Sequence, residues 1–419
     1  MRTSGATSRR AFLASLGLGS VRLAAAEASE RPAAPRDTPR PLRPTGADLG
    51  SLFPEVEKLA GPPAYRDSFL GGRFRTHEEF RRVARDKVLD LLQYRPEKVD
   101  PKPELLERTD RGDHVREKVL FSTAPACRVP AYVLLPKGLK RPAPAIVDLH
   151  SHGGMFLFGK EKVIDLGDNH PAMTAYHKSN YDGRPTATEL VRRGYVVISI
   201  DALMFGERRT ILDADLKHGW DRSRYDEDDV KHLNQQCRSK ETTLVKALTF
   251  AGLTWPGVVA WDDIRTVDYL LTRPEVDAKR IGCVGISMGG YRAIYLTALD
   301  ERIAAGCVVG FLSTVRPMIK AHLDTHSWVH FLPGLHRSLD LPDVASLAAP
   351  RPLLVQQCSQ DRLFPLAGMK EAVEKIAAVY EKAGVKDRFQ GVFHDVPHRF
   401  TRKMQDEAFT WFDRQFGHR

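Results

Sequence analysis

Short apolar runs alternate with helix-like patterns from residue 144 onward. These runs lack the polar–apolar alternation of a strand with one solvent-exposed face, so both of their faces are expected to be covered. Amphipathic stretches such as 258–273 and 366–384 separate them. The pattern predicts an α/β fold with a doubly wound, mostly parallel sheet and helices on both faces. The six predicted strands cover residues 144–150, 195–201, 280–287, 303–311, 352–358 and 388–394.

Before residue 144, the sequence predicts a helix and a β-hairpin. Thr76 and Glu79 have the spacing of a capping box, and the pattern that follows predicts a helix over 76–94. Two strand-like runs, 117–124 and 129–136, predict a hairpin that leads into the sheet. At the other end of the chain, an amphipathic helix is expected to follow the last strand.

Two segments are too long to be simple connections. Residues 159–186 follow the first predicted parallel strand, and residues 205–256 follow the second. Long connections within a compact domain are usually either functional or disordered, and ligands of open α/β folds bind at the carboxyl edge of the sheet. Both segments are therefore predicted to fold over that edge as a partial cap.

The first residues have the pattern of an export signal. Arg9-Arg10 precede Phe12-Leu13 and a weakly apolar stretch over 11–21, which is too short for a permanent membrane anchor. This pattern resembles a twin-arginine signal, recognised by the twin-arginine export machinery, and predicts a periplasmic or secreted protein. A disordered basic tail is the alternative. The predicted organisation is a signal peptide over 1–26, a disordered linker over 27–45 and a single catalytic domain over 46–419.

The charge distribution argues against a nucleic-acid partner. The chain has a net charge of +10, but residues 1–46 contain eight arginines and only three acidic residues, so half of that charge lies outside the predicted domain. The rest is spread along the chain without a basic and aromatic stripe. A hydrophobic content of 42% with 28% charged residues is ordinary for a soluble globular enzyme.

The five cysteines indicate neither a disulfide framework nor a zinc site. Cys283, Cys307 and Cys358 lie in predicted central strands, where cysteine behaves as a small buried hydrophobe. No CxxC or Cys/His spacing is typical of a metal site. We therefore expect no metal and no cofactor, while a Cys127–Cys237 disulfide stays open.

The most specific motif is G-x-S-x-G at residues 285–289. It follows a predicted strand and precedes a helical pattern. In this context the serine lies on a sharp strand-to-helix turn, where side chains two residues before and after it would collide. Ser287 is therefore the predicted nucleophile, and the glycines at 285 and 289 are the residues that permit the turn.

A nucleophilic serine needs a histidine base and an acid that orients it, here in the chain order Ser, Asp, His. Asp361 directly follows a predicted strand, which is where this architecture places its acid. FHDVPHRF contains two histidines: His394 ends the last strand, and His398 lies on the loop beyond it. His398 is therefore the predicted base. Pro397 excludes a single helix through both histidines, and with it a helical metal pair.

The tetrahedral intermediate of acyl transfer needs two backbone N–H donors for its oxyanion. Met288, the residue after the nucleophile, is expected to provide one. The second is expected from the loop DLHSHGG, with His152 preferred to Ser151. The substrate-pocket candidates are His150, Phe205, Glu207, Arg208 and His394.

From about residue 75 to its end, the chain resembles the α/β-hydrolase superfamily. Within it, the chain is most similar to the bacterial dienelactone-hydrolase-like and acetyl-xylan-esterase-like branch. The resemblance implies the α/β-hydrolase fold, a catalytic triad and no cofactor. The matching stretches are LHSHGGMFLFGKEK, GYVVISIDALMFGERR, RPEVDAKRIGCVGISMGG, SQDRLFP and VPHRF.

Three positions depart from the pattern of this branch. Dienelactone hydrolases use a cysteine nucleophile, whereas this chain has Ser287. Ser151 occupies a position that is usually glycine, which leaves the second oxyanion donor open. Asp201-Ala202-Leu203 replaces the common Asp-x-Arg-Gly run and predicts an unusual leaving-group side.

Together these features predict an exported serine hydrolase of carboxylic esters, with acetyl or other short-acyl esters of carbohydrates or polar alcohols as substrates. The alternatives are a serine peptidase or a lactone or dienelactone-type hydrolase on the same fold and, in another class, a non-catalytic carbohydrate- or lipid-binding protein. No nucleic-acid partner and no permanent membrane anchor are expected. The cap loops have bulky residues that are expected to narrow the acyl side: Phe156, Phe158, Tyr176, Tyr181, Met204, Phe205, Trp220 and Tyr225.

The export prediction can be tested by changing both Arg9 and Arg10 to lysine. This conservative change keeps the charge but removes the arginine pair, so we expect uncleaved precursor to accumulate in the cytoplasm. Cell fractionation with immunoblotting measures this, and Arg22→Lys is the charge-matched control. Normal maturation of the double variant would mean that another route carries the protein.

Overall fold

The computed structural model describes residues 43–61, 65–216 and 219–418. Within them, the chain from Pro44 onward forms one compact unit. The predicted signal peptide and nearly all of the predicted linker lie outside the described residues.

A nine-stranded sheet forms the centre of the described chain. Its strands are β1 Glu104–Asp110, β2 His114–Ala124, β3 Cys127–Pro136, β4 Ala143–Leu149, β5 Val196–Ile200, β6 Val276–Ile286, β7 Ile303–Val309, β8 Leu353–Cys358 and β9 Phe389–His394. Their order is β1-β2-β3-β5-β4-β6-β7-β8-β9. The pairs from β5 to β9 in this order are all parallel, and β1, β2 and β3 are attached antiparallel. The predicted mostly parallel sheet is thus confirmed.

Helices cover both faces of this sheet. The α-helices of the described residues are α1 Phe53–Ala60, α2 His77–Leu92, α3 Pro171–Tyr181, α4 Thr186–Arg192, α5 Glu227–Phe250, α6 Trp255–Leu270, α7 Met288–Leu299, α8 Arg316–Lys320, α9 Leu341–Ser346, α10 Leu366–Lys382 and α11 Arg402–Phe416. Among the described residues, no single helix is both long enough and apolar enough to span a membrane. Helices α5 and α6 meet these two criteria only when they are taken together, and the chain bends by 85° between them.

The core lies on both faces of the sheet because successive strand residues point in opposite directions. On β4, Val147 belongs to one apolar cluster and Ile146 to the other, and both are fully buried. Helices α2, α6, α7, α9 and α10 supply residues to the first cluster, and α4 and α11 supply residues to the second. The continuous apolar runs in the sequence therefore correspond to strands that are covered on both sides.

The predicted helix over 76–94 is observed as α2. Thr76 caps it by accepting a hydrogen bond from the Glu79 amide at 3.1 Å. The Glu79 carboxylate accepts from the Arg75 amide instead of the Thr76 amide, so the predicted reciprocal box is only half formed. The sequence pattern missed β1, whose residues are almost all exposed, because an edge strand without a buried face has no apolar period to detect.

The two long segments contain helices that the sequence pattern does not reveal. The first contains α3, and the second contains the 24-residue α5. Asp226 and Asp229 form a capping box at the start of α5. Its buried positions are Val230, Leu233, Cys237 and Glu241, so α5 buries one face, and that face ends in a carboxylate.

Candidate active site

Ser287 lies on a strained turn between β6 and α7. Its φ and ψ are 60° and −126°, a region that non-glycine residues rarely adopt. A Cβ at Gly285 would lie 2.5 Å from the Gly289 carbonyl carbon, and one at Gly289 would lie 1.9 Å from the Leu149 oxygen. Glycine is therefore required at both positions. The serine amide donates to the Val309 oxygen at 2.9 Å, which anchors the turn to β7.

Asp361 and His398 are in direct contact although 37 residues separate them. His398 Nδ1 lies 2.5 Å from Asp361 Oδ2. The other oxygen, Oδ1, accepts from the Leu363 amide at 2.9 Å. The Asp361 side chain has no exposed surface and the His398 ring is 21% exposed. Because Nδ1 donates to the carboxylate, Nε2 of His398 is left as the atom that can accept a proton.

Ser287 and His398 line one cavity of about 210 Å³. The structure therefore brings the three predicted triad residues to one place. The cavity is also lined by His152, Gly153 and Gly154 from the loop after β4, and by aromatic and histidine side chains after β7 and β8. This position is the carboxyl edge of the sheet, where open α/β folds bind their ligands.

His394 lies apart from this cavity. Its Nε2 is 3.3 Å from Glu407 Oε2 on α11, and burial lowers its pKa. Because β9 ends with His394 beside α11, its ring is held against the helix, whereas His398 is carried back over the sheet edge by the loop. Of the two histidines in FHDVPHRF, only His398 reaches Ser287's cavity.

Two backbone N–H groups in the described chain are candidates for the oxyanion donors. Met288 is the first residue of α7, and His152 lines the cavity. Neither amide has a hydrogen-bond acceptor among the described residues. Ser151, the alternative donor, does not line the cavity, and its hydroxyl lies 2.6 Å from the Tyr176 hydroxyl. The geometry favours His152.

The His152 ring is held by bonds at both nitrogens. Nδ1 accepts from the Gly154 amide at 3.0 Å, and Nε2 lies 2.8 Å from Glu241 Oε1. The second Glu241 oxygen accepts from the Ser327 hydroxyl at 2.9 Å. Burial lowers the pKa of His152 against the effect of Glu241. Both nitrogens of the imidazole are therefore engaged within the fold, which leaves neither available as a base.

Glu241 was missed by sequence reasoning. Burial acts to raise its pKa, but the bonds from His152 and Ser327 outweigh this effect and the pKa is lowered. A carboxylate on an otherwise apolar helix face, four residues after Cys237, is a signal that it needs a buried partner. That partner lies 89 residues away, so the sequence does not reveal which residue it is.

The predicted pocket residues do not line the cavity. His150 is fully buried, and its Nε2 accepts from the Ala202 amide at 3.1 Å. Phe205 is also fully buried and stacks on Phe156 with ring centroids 5.1 Å apart. These side chains fill the space under the cap, and the prediction that they contact substrate is not supported.

The charged pocket candidates are paired within the fold. Glu207 Oε1 accepts from Lys160 Nζ at 2.7 Å, and Arg208 donates to Asp262 Oδ2 at 2.7 Å. Partly buried charges are stable only when they are paired. The charges of Glu207 and Arg208 are thus neutralised by partners that lie far away in the sequence, and neither is left for a substrate.

The aromatic residues of the cap loops are also placed differently from the prediction. Trp220 is 60% exposed, whereas the other seven predicted residues are buried. Several contact a cation, as Phe205 does with Lys162 Nζ at 4.4 Å from its ring centroid. The cap is therefore a packed layer, and most of its rings offer no face to a ligand.

A groove of about 1100 Å³ adjoins the cavity. Gly154 and Arg238 line both spaces. The groove lies between α3 and α5, and its other lining residues include Met155, His170, Tyr225, Asn234 and Gln235. The mixture of a ring, amides and a guanidinium is suited to a polar ligand that extends from the cavity.

The described residues contain no group of three or more His, Cys, Asp or Glu side chains that could hold a metal ion. The Cys127 thiol is free, so the Cys127–Cys237 disulfide that the sequence left open is not formed. Cys283, Cys307 and Cys358 are fully buried in the core, as predicted.

Comparisons with known proteins identify relatives of the same architecture. "Putative hydrolase YtaP" of Bacillus subtilis (strain 168) is 29% identical over 328 residues, which are 77% of this chain and 96% of that protein. A solved structure described as a "putative acetyl xylan esterase" from Bacteroides fragilis NCTC 9343 has a TM-score of 0.61 and 19% identity, over 81% of each chain. A glucuronoyl esterase from Solibacter usitatus has a TM-score of 0.54 and 17% identity, over 80% of this chain and 92% of its own.

The two solved structures share the α/β-hydrolase fold with this chain, and at these identities the likeness concerns the fold. The model of the Abhydrolase family matches residues 64–409. This range includes the whole sheet and the residues Ser287, Asp361 and His398. The chain belongs to the Abhydrolase family.

Proposed function

We propose that this protein is a serine esterase that removes short acyl groups, acetyl above all, from carbohydrates or similarly polar alcohols. The observation that carries the proposal is the 2.5 Å contact between His398 and Asp361 at a cavity that Ser287 lines from its strained turn. A hydroxyl, an imidazole and a buried carboxylate in this arrangement are the parts required for acyl transfer.

In the proposed mechanism, Ser287 Oγ attacks the acyl carbonyl while Nε2 of His398 takes its proton. Asp361 holds the ring with Nδ1 protonated and stabilises the imidazolium. The Met288 and His152 amides bind the oxyanion, and His398 then returns the proton to the leaving alcohol. Water attacks the acyl-enzyme by the same steps, which frees the acid and regenerates Ser287.

The size of the cavity supports a short acyl group. At about 210 Å³ it is smaller than the usual pocket for a drug-sized ligand. Phe311 and Phe364 are buried residues of its wall and pack edge to face with centroids 5.1 Å apart. Because paired rings in a packed core yield little, a long acyl chain lacks space beside Ser287.

The adjoining groove supports a polar leaving group. It meets the cavity at Gly154 and Arg238, and its lining includes the exposed Lys231 and Gln235, whose side chains can bond to hydroxyl groups. Two structural neighbours are named as a putative acetyl xylan esterase and a glucuronoyl esterase. A carbohydrate in the groove with its acyl group in the cavity is consistent with both observations.

Export belongs to the proposal as well. It rests on the Arg9-Arg10 pattern alone, which lies outside the described residues. An exported esterase of this kind would meet polymeric carbohydrate esters that do not enter the cytoplasm.

The nucleophile and base can be tested by Ser287→Ala and His398→Ala. Each change should lower kcat on an acetyl ester by at least ~10³-fold, since triad members act as a unit. Asp361→Asn should also be severe while leaving the unfolding midpoint nearly unchanged, because it alters the tautomer and orientation of the base. Steady-state kinetics on the purified enzyme measures all three.

His394→Ala is the matched control for the base. Its ring lies against α11, so the loss in kcat should be far smaller than for His398→Ala. An inactive His394→Ala enzyme beside an active His398→Ala enzyme would reverse the assignment of the two histidines. An active Ser287→Ala enzyme would refute the serine mechanism itself.

The acyl group can be tested with a series of aryl esters of increasing chain length. kcat/KM should fall steeply between acetyl or propionyl and hexanoyl, because a methylene that misfits the pocket costs roughly 1–3 kcal/mol of transition-state binding. The matched control is alkaline hydrolysis of the same esters, which corrects for intrinsic reactivity. A profile that rises towards octanoyl would indicate a lipid ester instead.

A further inference from the structure

A second cavity of about 280 Å³ lies behind the catalytic one. Four side chains, Phe311, His326, His330 and Phe364, line both spaces, so the two cavities adjoin at these residues. On its far side the second cavity is bounded by α7 and by the segment that leads to α9. The exposed Pro333 and Gly334 are among its lining residues, so it reaches the surface.

Half of the residues that line this second cavity have aromatic rings, and the other half are apolar residues or glycine. None of its 16 residues is Asp, Glu, Lys or Arg. Burial lowers the pKa values of its three histidines, 326, 330 and 336, so their rings are neutral. Phe311 meets Tyr291 at 5.2 Å and His330 at 4.6 Å between ring centroids. Such a box suits a flat aromatic ring and disfavours an ion, which would lose its water without gaining a counter-charge.

The same residues have buried polar atoms without partners. Nε2 of His326, both ring nitrogens of His330 and Nδ1 of His336 have no hydrogen-bond partner among the described residues, and the Tyr291 and Tyr295 side chains lie beside each other with ring centroids 4.7 Å apart. The four histidine nitrogens are among the 19 such atoms in that part of the chain, and all four belong to the lining of one cavity. Buried polar groups are normally paired, so this concentration indicates a place where a ligand supplies hydroxyl groups after small side-chain rotations.

We propose that the second cavity binds a neutral, hydroxylated aromatic group. Such a group is either a free phenolic compound or the phenolic part of an ester whose reacting carbonyl lies at Ser287. The aromatic rings of the lining recognise the ring of the ligand, and the tyrosine hydroxyls and unpaired histidine nitrogens recognise its oxygens.

Binding is measured by calorimetry on the full chain with Ser287→Ala, so that no turnover is needed. The probes are 2-methoxyphenol, toluene and benzoate. We expect 2-methoxyphenol to bind roughly fivefold more tightly than toluene, since one hydrogen bond between neutral groups has about that effect, and benzoate to bind most weakly. Equal affinity for 2-methoxyphenol and toluene, or no binding of either, would overturn the proposal.

Two variants locate the bound ring. Leu323→Trp fills the cavity and should abolish binding of both neutral probes, while Leu366→Trp on the surface should not. Tyr291→Phe with Tyr295→Phe should lower only the affinity for 2-methoxyphenol, because it removes both lining hydroxyls and keeps both rings. Tyr195→Phe is the matched control: its hydroxyl donates to Asp413, so it should lose stability and keep affinity. Unchanged binding to Leu323→Trp would place the ring elsewhere.

Kinetics with the active enzyme distinguish a free phenolic ligand from the phenolic part of an ester substrate. Competitive inhibition of acetyl-ester turnover by 2-methoxyphenol assigns the cavity to part of the substrate. Unchanged KM at saturating 2-methoxyphenol assigns it to a separate ligand. Because binding is measured without turnover, failure of the esterase assignment would leave this result intact.

A different observation concerns Lys162. Its side-chain nitrogen is fully buried and donates to the Ser151 oxygen at 2.8 Å and to the His152 oxygen at 2.9 Å. Its described neighbours include no carboxylate within ion-pair distance, whereas the equally buried Lys160 pairs with Asp201. Burial holds the pKa of Lys162 well below its usual range. Burial of a lysine without a counter-charge is costly, and the contacts that compensate for it here are the two loop carbonyls and the rings of Tyr176 and Phe205.

The bond to Ser151 also orients the next amide. In a trans peptide the C=O and N–H of one unit point in opposite directions. Because the Ser151 oxygen faces Lys162, the His152 N–H in the same peptide points away from it. A donor on the carbonyl also polarises the peptide and strengthens its N–H as a donor.

We infer that Lys162 is a positioning residue for the oxyanion hole. The inference rests on the proposed esterase function. Lys162→Met should lower kcat by roughly 10²-fold, the effect of losing one oxyanion donor, with KM changed less than threefold. Lys162→Gln keeps N–H donors and should recover part of kcat. Lys375→Met, which loses a partly buried lysine bonded to Asp340 at 3.1 Å, is the control and should lower stability without lowering kcat.

A folded Lys162→Met enzyme with normal kcat, or one in which only KM changes, would overturn the inference. A fall in kcat that Lys162→Gln does not recover at all would also count against it, since the role is assigned to the N–H bonds. An inactive Ser287→Ala enzyme beside a fully active Lys162→Met enzyme refutes only the role of Lys162. An active Ser287→Ala enzyme refutes the esterase function itself.

Discussion

The close contact between the backbones of Gly289 and Leu149 is the constraint on which the site depends. A methyl group at Gly289 would approach the Leu149 oxygen to 1.9 Å. Strands β4 and β6 are parallel neighbours, so the loop after β4 and the turn after β6 emerge side by side. Only glycine permits them to touch. That contact places the His152 loop beside Ser287, and the rest of the fold keeps it there.

Buried polar groups hold this arrangement from behind. Arg292 on α7 forms a two-bond pair with Asp263 on α6 at 2.6 and 3.0 Å, and both side chains are almost fully buried. Glu241 on α5 holds the His152 ring. Such groups add little net stability compared with apolar packing, but removing one partner is severe because a charge is left unpaired. Their value here is that they connect the loop after β4 to helices from distant parts of the chain.

The fold was largely predictable because its signals are local. An apolar run of strand length between amphipathic helices needs no distant partner to be recognised, and the six predicted parallel strands lie within one or two residues of the observed ones, except that β6 begins four residues earlier. The sequence has no apolar pattern that reveals β1, which is an exposed edge strand. The apolar pattern of α5 is also weak, because only four of its 24 residues are buried and most of the helix is polar.

The sequence by itself determined the sharp turn at Ser287, the strand-end position of Asp361 and the loop position of His398, because backbone sterics and chain order constrain these residues locally. Only the tertiary structure decided which side chains face the cavity. Glu207 pairs with Lys160, and Arg208 pairs with Asp262, and each partner lies more than 40 residues away in the sequence. Charge pairing and ring packing between distant segments have no periodic signature in a sequence, since they depend on where the folded chain brings those segments together.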